Sequence, residues 1–148
     1  MVFKFNIGEK SGKTWKLEAE AENLIDKKLK ETIDGKIISD DLEGYELEIT
    51  GASDKAGFTA MENIEGIGLK KALLSYGKGM KKKPKREGKK KLSNSKPKGL
   101  RLRKTVRANT ITSHFTQINL KVVKAGKKPL NEIFPDQNKA PETQTEAQ

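Results

Sequence analysis

The sequence predicts a mainly β domain with one short helix and a long basic loop. Three observations carry that expectation. Apolar residues fall at every second position in most of the hydrophobic segments, the signature of half-buried strands. Glycine and other turn-forming residues bracket those segments closely. A repeat of about four occurs in a single window, enough for one helix of about three turns.

In chain order, "VFKFNIG" sets Phe3, Phe5 and Ile7 on one face, and "TWKLEAE" does the same with Trp15, Leu17 and Ala19. The connecting "GEKSGK" holds Gly and Ser, so the two segments read as a hairpin. The helix is expected from Asn23 as cap, with Asp26 in its first turn, Ile25, Leu29 and Ile33 on one stripe, and Gly35 just past its end. "YELEITG" alternates again, with Tyr45, Leu47 and Ile49 against Glu46 and Glu48, and "GASDKAGF" follows as a turn. "LKKALLSYG" reads as a strand because Gly66, Gly68, Gly77 and Gly79 enclose it. "FTQINLKVVKAGKK" supplies another, with Ile118, Leu120 and Val122 alternating and Gly126 at its end. After Phe134 the chain turns polar, so 135–148 is expected to be a frayed tail.

Charge is the strongest signal. Residues 78–107 hold fifteen of the 31 Lys and Arg but only Glu87 among the 20 Asp and Glu, so the remainder of the chain is slightly acidic. Crowding like charges costs self-repulsion, and a polyanionic partner that relieves it is the simplest reason to keep them together. A solvated run or a nuclear-targeting signal would also be basic. The window is not uniform, however. From Met80 to Gly99 there is no apolar period and Pro84, Gly88 and Pro97 break the chain, which implies an irregular, mobile loop. From Leu100 onward, Leu100, Leu102 and Val106 take even positions and Arg101, Arg103 and Arg107 odd ones, which implies a strand with three guanidinium groups on one face and an apolar face against the core.

The composition bounds other readings. At 148 residues and 33% hydrophobic content the chain supports one domain with a modest core. No apolar run approaches the roughly 18 residues of a membrane span, and "MVFKFNIGEK" lacks the apolar stretch of a signal peptide, so a cytoplasmic protein is expected. With no cysteine and the single His114, neither thiolate chemistry nor a Cys/His metal site is expected. "GEKSGKT" has three residues between its glycines where a phosphate-binding loop needs four, and it leads into an alternating segment instead of a helix. Ser113 beside His114 is read as strand neighbours pointing to opposite faces, and Asp40 with Asp41 as solvated acids. We therefore expect no enzyme, no cofactor, no metal, no small-molecule substrate and no membrane partner.

Several of these segments, in order and spacing, resemble a known family. "GYELEITGASDKAGF", "LLSYGKG", the basic stretch, "RLRKTVRANTI" and "INLKVVKAGKKPL" are similar to the eukaryotic-type small-subunit ribosomal protein six family of archaea and eukaryotes, over about residues 1 to 134. "SDKAGF" and the "RLRKTVRANTI…NLKVVKAG" block are the specific pieces. The resemblance implies a small β-barrel-like domain over 1–134, including the basic loop 78–98, that binds and stabilises ribosomal RNA as a structural constituent of the small subunit, among neighbouring ribosomal proteins. The chain ends near position 148 without the long basic C-terminal helix and serine-rich phosphorylation sites of the eukaryotic pattern, so the archaeal form is implied and regulation by phosphorylation is not. The candidate RNA contacts are Lys78, Lys81, Lys82, Lys83, Lys85, Arg86, Lys89, Lys90, Lys91, Lys96, Lys98, Arg101, Arg103, Lys104 and Arg107. RNA duplexes are recognised through backbone and shape, which suits a Lys/Arg loop with few aromatics. A DNA-associated architectural or regulatory protein is the alternative, although the window holds neither a recognition helix nor apolar wedges.

Overall fold

Alternation of buried and exposed side chains makes seven segments into strands: β1 (Val2–Gly8), β2 (Thr14–Glu20), β3 (Thr32–Asp34), β4 (Glu46–Asp54), β5 (Leu69–Ser75), β6 (Arg101–Arg107) and β7 (Phe115–Lys124). The structure, a computed structural model, describes residues 2–81 and 99–138. Five strands form one sheet in the order β2-β1-β7-β4-β3, and β5 pairs with β6 in a separate two-stranded ribbon. The expected hairpin is present: β1 and β2 pair antiparallel from Val2↔Glu20 to Gly8↔Thr14, closed by a turn in which Gly12 takes a φ of +88°. The other neighbour of β1 is β7, in parallel, so the first and last of the described strands lie side by side within the sheet.

The sheet curls into a half-barrel. Three register irregularities along β4, where it pairs with β7, supply local bends of the kind that bulges impose. The core sits on one face. Phe3, Phe5, Ile7, Leu47, Ile49 and Ile118 are fully buried there, as alternation required. Leu24, Leu42, Ile111 and Leu130, from short helical turns and the connections between strands, belong to the same core.

The helix expected from Asn23 is not formed. That stretch holds a three-residue 3₁₀ turn (Glu22–Leu24), an irregular segment and β3. Asp26 and Lys30 take φ of +71° and +72°, which no α-helix tolerates. The cause is tertiary. Asp26 N donates to Ile111 O, Ile111 N to Lys27 O, Leu29 N to Asn109 O and Lys30 N to Ile49 O, at 2.8 to 3.0 Å, so the backbone groups a helix would use internally are taken by neighbouring chain. Leu29 and Ile33 are still buried, while Ile25 of the same supposed stripe is exposed. Gly35 has a different role from a helix stop, since a Cβ there would overlap Leu42 O and lie 3.0 Å from Tyr45 Cβ. The short α-helix, α1 (Leu130–Ile133), lies instead beyond β7.

Gln137 and Asn138 belong to the stretch expected to fray. In the structure Gln137 Nε2 donates to Lys16 O (2.8 Å), its Oε1 accepts from Lys16 N (2.7 Å), and Asn138 Nδ2 donates to Thr14 O (2.9 Å). The rest of that stretch, 139–148, lies outside the described residues.

Candidate nucleic-acid interface

The β5–β6 ribbon carries the described part of the basic window. It pairs antiparallel from Leu69↔Arg107 to Ser75↔Arg101, and directly opposed residues in such a pair share a face. One face therefore holds Arg101, Arg103, Thr105 and Arg107 beside Ser75, Leu73, Lys71 and Leu69. The other holds Leu102, Lys104 and Val106 beside Leu74, Ala72 and Lys70. Arg101 and Arg103 are exposed, and so are Lys71 and Leu73, the latter at 58%. Lys71 was missed by a reading that ended the basic cluster at Lys78; its register opposite Thr105 puts it beside the arginines.

The apolar face of β6 does not rest against the main core, which corrects the expectation. Val106 and Met80 are buried, yet neither belongs to the main cluster. Val106 lies with Leu74 and Met61 around Gly79, the residue before Met80, where an added Cβ would lie 3.2 Å from Leu74, 3.4 Å from Met61 Sδ and 3.6 Å from Val106. The ribbon is separate because β6 finds no partner in the five-stranded sheet and touches the rest of the chain mainly at its C-terminal end, where Arg107 N donates to Thr59 O and Met61 N to Arg107 O.

Arg107 differs from the other two arginines. Its Nε donates to Asp54 Oδ2 at 2.9 Å, both side chains are largely buried (12% and 6% exposed), and its guanidinium lies 5.7 Å from the centroid of the Phe115 ring. Two guanidinium groups, not three, are thus presented on the open face. Asp54 also accepts from Phe58 N through Oδ1, at 3.1 Å, which folds the "SDKAGF" turn back onto β4. Burial by itself pushes the Asp54 carboxyl up, but the hydrogen bonds from Arg107 and from the Phe58 and Ala56 amides, with the Arg107 charge, outweigh it and hold the group below the usual carboxylate range. No spacing rule in the sequence links partners so far apart.

Lys78 lies in the turn from Gly77 to Met80, and its Nζ donates to Thr50 O at 3.3 Å, over Gly51 of β4. Lys81 is exposed next to it, and Lys104 is half-buried. Lys82, Lys83, Lys85, Arg86, Lys89, Lys90, Lys91, Lys96 and Lys98 lie outside the described residues, as does the expected loop itself between 82 and 98. The structure therefore brings Arg101, Arg103 and Lys104 together on one strand with Lys78 and Lys81 in the turn beyond β5.

The motifs that suggested enzymes have ordinary positions. "GEKSGKT" is the turn of the β1–β2 hairpin and runs into a strand. Ser113 and His114 are exposed in a turn that Phe115 N closes onto Thr112 O at 3.1 Å, and are not strand neighbours as expected. Among the described residues no helix is long and apolar enough to cross a membrane.

Comparison with known proteins identifies the family of the chain. The family model described as "Ribosomal protein S6e" matches residues 3–97 and 92–135. The small ribosomal subunit protein eS6 of Methanococcus maripaludis (strain C6) is 42% identical over 131 residues, covering 88% of this chain and 94% of its own. Its counterpart in Methanocaldococcus jannaschii is 41% identical over 132 residues, with 88% and 89% covered, and that of Thermoplasma acidophilum is 39% identical over 131 residues, with 86% and 93% covered. With both chains matched along nearly their whole lengths and the specific "SDKAGF" and "RLRKTVRANTI" blocks occupying the turn and strand joined by the Asp54–Arg107 pair, this chain belongs to the ribosomal protein S6e family.

Proposed function

We propose that this protein is a structural constituent of the small ribosomal subunit, in the cytoplasm, and that it binds and braces folded ribosomal RNA through the window from Lys78 to Arg107. The observation that carries the reading is the segregation of charge: one window holds fifteen basic groups and a single acid in a chain otherwise slightly acidic. Its described part includes β6, which pairs with β5 in a ribbon separate from the five-stranded sheet and carries the exposed Arg101 and Arg103. Family membership supports a ribosomal role, and the relatives named above are proteins of the small subunit. Phosphate contacts from Lys and Arg give affinity and register without reading sequence, which is what bracing folded RNA requires. Neighbouring ribosomal proteins are the second class of partner, and no catalytic step is assigned.

A hydroxyl-radical footprint on small-subunit RNA tests the reading. The protein should protect a discrete set of riboses, and replacing the lysines from Lys81 to Lys98 with Ser should remove most of that protection. Protection of duplex DNA in preference to small-subunit RNA, or an undiminished footprint from the Ser variant, would contradict it.

A further inference from the structure

We propose that the cleft between the "SDKAGF" turn and the open edge of β6 seats one backbone phosphate of the bound RNA, a prebuilt subsite distinct from the lysine-rich loop; this rests on the RNA-binding reading above. The cleft has a volume of about 380 Å³ and is lined on one side by Gly57 and Thr59 and on the other by Arg103, Lys104 and Thr105. Its full lining contains two cations and two hydroxyls and no carboxylate. By contrast, the cleft at Asp40, Asp41 and Glu43 mixes acids with Lys127 and Lys128.

The backbone adds donors. Arg107 turns its N–H and C=O toward Thr59 and Met61, away from β5. The alternation of an antiparallel ladder then turns the N–H and the C=O of Thr105 and Arg103 to the same edge, where among the described residues no further strand pairs, so the amides there are open donors set between carbonyl oxygens. Open amides, two hydroxyl-bearing residues and two cationic residues bordering one edge, with no carboxylate in the lining, are the chemistry of a phosphate seat. Both walls are fixed before any ligand arrives. The turn is held by Asp54, whose charge is already answered by Arg107, and Gly57 supplies the φ of +85° that the turn needs. Pre-organised donors lose little entropy on binding.

Phosphate-ethylation interference on small-subunit RNA, with the full chain, tests this. Two variants are compared with the parent protein: Arg103→Gln with Lys104→Gln, and Thr59→Val with Thr105→Val, which removes the hydroxyls while keeping β-branched shape. One or two adjacent phosphates should block the parent protein when ethylated and become indifferent in either variant. The slope of log K against log salt should shrink for the charge variant by about 0.7 to 0.9 per phosphate lost. If both variants keep the parent's interference pattern and slope, the subsite is wrong while the RNA reading stands. A uniform weakening at every phosphate, or saturable binding of AMP in the cleft without localised interference on RNA, would overturn it too. If the parent protein shows no interference anywhere because it does not bind the RNA, the underlying reading fails instead.

Discussion

At the scale of single residues, the Asp54–Arg107 pair ties the ribbon to the sheet. The partners are 53 positions apart, meet at 2.9 Å and are almost wholly withdrawn from water. Removing one member of such a pair leaves the other charge buried and unanswered, which typically costs about 3 to 5 kcal/mol. Asp54→Asn should therefore lower unfolding free energy at pH 7 by an amount on the order of 3 kcal/mol, measured by urea titration. The pH dependence has a definite sign. The carboxyl is held below its ordinary value near 4 in the folded state, so its contribution is fully present above about pH 4 and is lost as the pH falls through the lower folded-state value. The gap between the native protein and Asp54→Asn should close as the pH drops below about 4, and a gap that stays constant from pH 7 into acid would contradict this assignment. Other single positions are decided by close approach. A Cβ on Gly126 would lie 2.5 Å from Tyr45 Cδ2 and 2.7 Å from Glu43 O, and the Tyr45 hydroxyl beside it donates to Lys128 O.

At the scale of elements, some buried apolar side chains of the described residues lie outside the main core. Val106 and Met80 are buried beneath the ribbon and Leu102 is half-buried on the same face of β6. Met80→Ala should cost about 2 to 5 kcal/mol as a buried truncation, and Leu102→Ala clearly less, because part of its side chain already meets water. Thermal unfolding of the two variants checks the order, and an equal loss would show Leu102 to be as buried as Met80. The same elements show what a sequence can disclose. β1, β4 and β7 were legible because Phe3 to Ile7, Tyr45 to Ile49 and Ile118 to Val122 alternate with a period of two that fixes which face is buried, although bulges break that period farther along β4. The stretch from Asn23 to Gly35 was misread because its apolar spacing of four fits a helix locally, whereas its amides bond to residues near 109–111 and to Ile49, which no local pattern reveals. The parallel pairing of β1 with β7 is equally non-local. The open edge of β2 is closed in part by the Gln137 carboxamide, which bonds both ways to Lys16 as a neighbouring strand would. In the candidate site, Arg101 and Arg103 were legible from alternation, but the exchange of Arg107 for an interior role required Asp54 to come into view.

At the scale of the whole molecule, the half-barrel belongs to the slightly acidic remainder of the chain, and the proposed RNA contact falls to the basic window. Counterion release gives a number to the proposal that the window's positive groups carry the affinity. If about eight of the fifteen basic groups of residues 78–107 meet phosphates, log K should fall against log salt with a slope of about −6 to −7, between the single-strand and duplex coefficients. A titration of the full chain against small-subunit RNA fragments over a range of monovalent salt measures it directly. A slope of about −6 to −7, with a shallower slope after the lysines from Lys81 to Lys98 are replaced by Ser, is the predicted result, whereas a slope near −1 would contradict the claim.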